Sequence, residues 1–278
     1  MPYNDTAKIR EHYDLASGHY HALWGEHIHH GYWITGKESK EEAAEALIRL
    51  LVEKAGIRHD SSVLDIGCGV GGSSRWLARN LDCRVTGVTI SAVQVEMAEK
   101  ETAKLHLSYP PRFRVADANA LPEDLGGPFD YLWSVEMISH LQDRENLFLR
   151  ASQLLKPGGR FAIADWWKSE GLSAEDEAKY IEPIEKGMLV SLPTFAEYAR
   201  YISAHGFRLL WFDDISNRVY RTWDITGDAI TNPAVWGFAL KHGKELVEFL
   251  HSFKAMRAGF KSGAFRYPVM VLEKVDGR

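Results

Sequence analysis

The sequence predicts an α/β fold, a doubly wound and mostly parallel sheet with helices on both faces. Three observations predict it. Short apolar runs alternate with longer stretches of helical periodicity through the first two thirds of the chain, the βαβ pattern that builds parallel sheets. The first of those runs, residues 63–66, passes into a glycine-rich turn (Gly67, Gly69, Gly71, Gly72) and then into a helical pattern. A later helix is stopped by Lys156-Pro-Gly-Gly159, which leads into another apolar run at residues 160–165.

The elements follow in order. Residues 1–36 lack a strand pattern and carry a row of aromatics and histidines, Tyr13, Tyr20, Trp24, His27, His29, His30, Tyr32 and Trp33. Such a row packs a core or forms a lid, and ring faces attract a cation. No carboxylate or Cys completes a metal-ligand set beside the histidines at a familiar spacing, so no metal is expected. Residues 38–55 read as an amphipathic helix ended by Gly56. The helix after the glycine turn covers residues 73–81, and residues 84–89 are the second strand. Ser91 and Gln94 have the spacing of a capping box opening a helix over 92–107. Strands at 113–118, 131–135, 160–165, 207–213 and 266–273 complete the sheet, with helices at 145–155 and from 194 to Gly206. Residues 166–192 and 216–263 are insertions rich in aromatic residues.

The chemistry-bearing residues sit where strands end, and in α/β sheets that carboxyl edge is where ligands bind. Asp65 lies inside the first strand, and an ionised carboxylate there needs a cationic or hydrogen-bonding partner. Asp117 and Ala118 close the third strand, where a carboxylate can accept from an exocyclic amine. The fourth strand ends in Ser134-Val-Glu136-Met-Ile-Ser-His140. His140 suits a general base near neutral pH, and Glu136 would orient it or bind substrate.

Val63-Leu-Asp-Ile-Gly-Cys-Gly-Val-Gly71 resembles the first motif of class I S-adenosylmethionine-dependent methyltransferases. Asp117 matches the second motif, and F-D-x-x-x-S-x-E-x-x-x-H from Phe129 resembles the fourth. Gly87-Val-Thr-Ile-Ser-Ala-Val-Gln94 resembles a subset that includes tocopherol methyltransferases, cyclopropane fatty-acid synthases and sterol methyltransferases. The second strand departs from the usual acidic end, closing on Thr89-Ile90-Ser91. The resemblance spans about residues 11–275. It implies a seven-stranded sheet whose last strand is antiparallel and inserted beside the fifth. It also implies that Asp65, Gly67, Gly69, Thr89, Ile90, Ser91, Gln94, Asp117, Ala118 and Ser134 hold S-adenosylmethionine. Tyr20, Ile28 and His29 would be lid contacts, and His140 and Glu136 would act on a small-molecule acceptor with an oxygen, nitrogen or carbon nucleophile. An aromatic, isoprenoid-like or amine acceptor suits the Trp- and Tyr-rich segments.

Composition narrows the classes. The chain has 278 residues and reads as one domain: a lid (1–36), a cofactor-binding core (57–165) and two cap segments over the acceptor (166–192 and 216–263). A net charge of −5 argues against a nucleic-acid surface, and no apolar run approaches a membrane span. Two cysteines and no apolar leader point to the cytoplasm. A nicotinamide-dependent oxidoreductase would want G-x-G-x-x-G and an acidic second-strand end, and both are lacking. An RNA methyltransferase would want a basic face and an N-P-P-[FY] motif after the fourth strand, where Ser134–Met137 stands instead.

Overall fold

The computed structural model describes residues 3–226, 237, 240 and 244–275, excluding the side chains of 19, 20, 22–24, 226 and 244–246. The chain opens with helix α1 (Thr6–Trp24), capped by the Asp5 carboxylate, which accepts from the N–H groups of Ala7 and Lys8. Helix α2 (Lys40–Ala55) follows a full capping box between Ser39 and Glu42 and stops at Gly56 in the left-handed region. Its buried stripe, including Leu47, Ile48 and Leu51, packs on one face of the sheet.

Strands β1 (Ser62–Ile66), β2 (Arg84–Thr89), β3 (Arg112–Val115), β4 (Phe129–Val135) and β5 (Leu155–Ala164) are parallel. They are joined by helices α3 (Gly72–Leu81), α4 (Ala92–Thr102) and α5 (Arg144–Leu154). Strand β6 (Trp167–Lys168) and strand β8 (Phe265–Arg266) form a separate two-stranded ribbon. Strands β7 (Phe207–Asp214) and β9 (Pro268–Lys274) complete a seven-stranded sheet in the order β3-β2-β1-β4-β5-β9-β7. Strand β9 runs antiparallel between β5 and β7, as the resemblance implies.

Several expectations are corrected. Helix α4 ends at Thr102 rather than at 107, while residues 6–24, which lack a strand pattern, form one long helix. Strand β5 begins at Leu155, because Leu155 pairs with Phe129 before the Pro-Gly-Gly segment shifts the register to Tyr131–Arg160. The expected strand at 266–273 is divided. Residues 265–266 pair with β6, and only residues 268–274 enter the sheet. Two-residue strands carry too little periodicity to be read from sequence. Trp236 and Phe238 of the second cap segment lie outside the described residues. No helix among the described residues is long and apolar enough to cross a membrane.

Candidate active site

Strand β1 delivers the chain to the glycine turn, where the N–H groups of Gly67 and Cys68 both donate to the Val88 carbonyl of β2 (2.9 and 3.0 Å). Gly67 takes φ +80°, and a Cβ there would lie 2.1 Å from Cγ of Met137. Gly69, at φ +52°, faces open space where its Cβ would stand. The turn is therefore a backbone cradle, bare on one side and packed against the β4 loop on the other. Gly67→Ala is expected to destabilise the fold by about 1–3 kcal/mol through strain and overpacking, read as a lower urea midpoint.

Of the two kinds of partner expected for Asp65, cationic or hydrogen-bonding, the structure supplies the second. The Asp65 carboxylate is buried and accepts from Ser74 Oγ of α3 at 2.6 Å. Burial pushes its pKa up to about 7, against the weaker opposing effect of the Ser74 hydrogen bond. Asp65 does not line the cavity described below; it braces the turn from beneath. Arg75, also buried in α3, donates to the Val70 carbonyl (2.6 Å) and to the Glu26 carboxylate (2.8 Å). It thereby ties the strap that follows α1 to the glycine turn. A Cβ on Gly72 would meet the Glu26 carbonyl at 2.2 Å, so the strap lies directly on the start of α3.

At the end of β2, Ser91 Oγ accepts from the Gln94 N–H at 3.0 Å, as a cap should. The reciprocal half of the expected capping box is missing. The Gln94 side chain accepts from Thr89 Oγ1 (2.5 Å) and donates to Ser17 Oγ of α1 (3.1 Å), while Ser91 Oγ donates to Asp14 of α1 (2.5 Å). Helix α1 is thus fastened across the β2–α4 edge by polar side chains. Past β3, Asp117 Oδ1 accepts from both the N–H and the side-chain amide of Asn119. Asn119 Oδ1 in turn accepts from the N–H groups of Gln142 and Asp143, linking this loop to the one after β4.

The β4 loop holds the candidate acid–base groups. His140 Nδ1 lies 3.1 Å from the Leu189 carbonyl, which can only accept, so Nδ1 carries the proton. Nε2 therefore presents a lone pair, and the Tyr13 hydroxyl of α1 donates to it at 3.1 Å. Burial lowers the His140 pKa to about 4, outweighing the opposing Leu189 carbonyl and Glu136 charge. The same burial, with the charges of Glu136 and Asp165, raises that of Tyr13. Both groups are neutral at neutral pH.

Glu136 does not orient His140. It sits at φ +53°, an uncommon conformation for a residue with a Cβ. Its Oε1 accepts from the His30 N–H (2.7 Å), His30 Nδ1 (2.9 Å) and the Tyr267 hydroxyl (2.6 Å). Trp223 Nε1 donates to His30 Nε2 at 2.6 Å, so Nδ1 is the ring nitrogen that donates to Glu136. Burial alone would raise the Glu136 pKa, but His30 and Tyr267 hold it below the usual carboxylate range. Nearby, Asp165 accepts from the N–H groups of Ser139 and Trp166 and is pushed up to about 7 by burial.

These groups surround one cavity of about 1330 Å³, counted out to its mouth. Gly67, Gly69, Thr89, Ile90 and Gln94 line one end, together with Asp117, Ala118 and Asn119. Glu136 and His140 line the other, and Ile28 and His29 roof it from the strap. Ser91 and Ser134 are buried outside the lining, and the side chain of Tyr20 lies outside the described residues. Sequence reasoning places Tyr13 in the aromatic row without a role, and it misses Asn119, Met188 and Thr222 altogether. Ile9, Tyr13 and Ser17 share one face of α1 at helical spacing, which is the available signal. No group of three or more His, Cys, Asp or Glu side chains among the described residues could hold a metal ion.

The backbone cradle, the polar β2 edge and the Asp117 loop suit a nucleoside carrying an amino-acid tail, which needs backbone donors, hydroxyl partners and an acceptor for an exocyclic amine. Comparison with known proteins agrees. The model of the family "Mycolic acid cyclopropane synthetase" matches residues 2–264. The chain is 30% identical over 289 residues to tocopherol O-methyltransferase, chloroplastic, of Arabidopsis thaliana, covering 96% of this chain and 81% of that protein. It is 30% identical to 27-O-demethylrifamycin SV methyltransferase of Amycolatopsis mediterranei, covering 97% of each. Among solved structures, the fold is similar to cyclopropane synthase MmaA2 from Mycobacterium tuberculosis, with TM-score 0.83 and 20% identity over 96% of this chain and 98% of that one. It is likewise similar to geranyl diphosphate C-methyltransferase from Streptomyces coelicolor in complex with Mg2+, geranyl diphosphate and S-adenosyl-L-homocysteine, with TM-score 0.76 and 20% identity over 99% of each.

Proposed function

The chain belongs to the mycolic acid cyclopropane synthetase family and is an S-adenosylmethionine-dependent methyltransferase of small molecules, and we propose that its acceptor is an uncharged, largely apolar molecule methylated on a hydroxyl. The observation that carries this reading is the lining of the cavity. Among the described residues it contains no Lys and no Arg, while Trp166, Met188, Trp223, Phe249 and Phe253 wall the acceptor end. His12 and His140 are both lowered to about 4, chiefly by burial, and bring no positive charge at neutral pH. A phosphorylated or carboxylated acceptor would have to shed its hydration there without a cation to meet it, which is costly.

In this reading residues 1–36 are the lid, 57–165 the cofactor core, and 166–192 and 216–263 the acceptor cap. Gly67 and Gly69, Thr89, Ile90 and Gln94, and Asp117 and Ala118 would hold S-adenosylmethionine beneath Ile28 and His29. When bound, the cofactor supplies a methyl group on a positively charged sulfur. Helix α1 and the strap exclude water and fix the direction of approach, and alignment of this kind can supply about 7–11 kcal/mol of barrier reduction. The acceptor hydroxyl gives its proton to the Tyr13 oxygen as the Tyr13 proton passes to His140 Nε2. The burial that depresses the His140 pKa then returns that proton to solvent. The two named relatives support oxygen as the nucleophile, since one is called an O-methyltransferase and the other a 27-O-demethylrifamycin SV methyltransferase.

A net charge of −5 and two buried free cysteines support a cytoplasmic enzyme without a nucleic-acid partner. The acceptor reading is tested by offering geraniol and geranyl diphosphate with S-adenosylmethionine and measuring S-adenosylhomocysteine. Turnover of the alcohol is expected to exceed that of the diphosphate by about tenfold or more, since the diphosphate would enter as an unpaired buried charge. The reverse order would sink the reading.

A further inference from the structure

Glu136 is the one carboxylate lining the acceptor end among the described residues, and its two oxygens are used unequally. Oε1 is saturated by three donors from the strap and the β8–β9 junction. Oε2 makes no hydrogen bond among the described residues, yet it is not among the sealed, unpartnered atoms of the interior. The side chain keeps 9% of its surface, on the cavity wall. Three donors, a left-handed backbone and the Trp223–His30 bond behind them hold this carboxylate rigidly, with one acceptor oxygen turned to the chamber. A carboxylate fixed so firmly and left half unused is a poor way to stabilise a fold, because burying charge costs free energy. It is a good way to read a ligand, since a site built to hydrogen-bond a donor discriminates strongly against analogues that lack one.

We propose that Glu136 Oε2 accepts a hydrogen bond from a second hydroxyl of the acceptor, so that the substrate is an apolar molecule bearing two hydroxyl groups. One is methylated beside Tyr13 and the other is anchored on Glu136. This rests on the acceptor reading above and sharpens it. The variant Glu136→Gln tests it cleanly. The three donors to Oε1 select the amide oxygen for that position, which leaves the NH2 group where Oε2 stood. The anchor then becomes a donor in place of an acceptor, while the shape of the network is preserved.

The experiment titrates the protein loaded with S-adenosylhomocysteine with para-tert-butylcatechol, tert-butylhydroquinone and para-tert-butylphenol in a calorimeter. At least one diphenol is expected to bind about tenfold or more tighter than the monophenol, the scale of a hydrogen bond to a charged group. Glu136→Gln is expected to lower the ratio severalfold, because a neutral NH2 that can only donate to the hydroxyl replaces a charged acceptor, while S-adenosylhomocysteine affinity holds. A ratio near one in the natural protein, a ratio unchanged in the variant, or failure of all three phenols to bind would each overturn the proposal. If the variant does not fold, the ratio in the natural protein decides alone. Failure of the protein to bind S-adenosylhomocysteine at all would instead strike the cofactor assignment on which both readings stand.

Discussion

Tyr13→Phe is expected to lower kcat by about 10²–10⁴-fold, the range for losing a positioned general acid–base group, with little change in S-adenosylmethionine affinity. The phenyl ring keeps the apolar contacts of α1 but removes the oxygen that would stand between acceptor and His140. His140→Ala should cost a similar factor. The double variant should be scarcely worse than either, because in the proposed mechanism the two groups act as one relay. Calorimetry for the cofactor and single-turnover kinetics for the methyl step separate the two effects. Equal kcat in the natural protein and the Tyr13→Phe variant would remove Tyr13 from the mechanism.

The proposed relay would also fix the acid limb of the pH profile. Protonated His140 cannot accept from Tyr13, so the active form lies above its pKa, which burial has lowered to about 4. kcat should therefore stay level as pH falls through the ordinary histidine range near about 6.5 and drop only on approach to about 4. A limb centred on the ordinary histidine value would show that the base is another, more exposed group.

Glu26→Ala should lower the unfolding free energy by about 2–4 kcal/mol, somewhat below the roughly 3–5 kcal/mol of a fully buried pair. Arg75 is 1% exposed in its side chain and Glu26 is 33% exposed, so the Ala variant leaves a buried guanidinium with its charge unmatched. The strap would also lose its tie to the glycine turn, and cofactor affinity should fall with stability. Urea unfolding with and without S-adenosylmethionine reads both. A variant of natural stability whose affinity is lost would confine Glu26 to the strap, and the reverse would confine it to the core.

Strands β1 and β2, the glycine turn, the α5 stop and the ligand edge are all legible in the sequence, because each is written in a window of a few residues. A short apolar run, a glycine at positive φ or a Pro-Gly stop acts through local sterics and periodicity. The Ser91–Gln94 pair shows the limit of that kind of reading. The spacing correctly marks the N-cap, but the side chain of Gln94 belongs to Thr89 and Ser17. Local hydrogen bonding cannot tell that a helix 77 residues earlier in the chain will settle on that edge.

The acid–base constellation lies beyond sequence for the same reason. His140 and Glu136 are close neighbours in the chain and would pass for a pair, yet they have separate partners. Tyr13 lies 127 positions from His140, and Tyr267 lies 131 positions from Glu136. His30 reaches Trp223 across 193 positions. The sequence by itself determined where the sheet edge and its glycine cradle would be. Only the tertiary structure, by packing α1, the strap and the C-terminal cap onto that edge, decided which groups face one another there. Burial then decided the charges at His140 and Tyr13, both neutral, while the charge and hydrogen bond of His30 and the Tyr267 hydroxyl hold the Glu136 pKa below the usual carboxylate range.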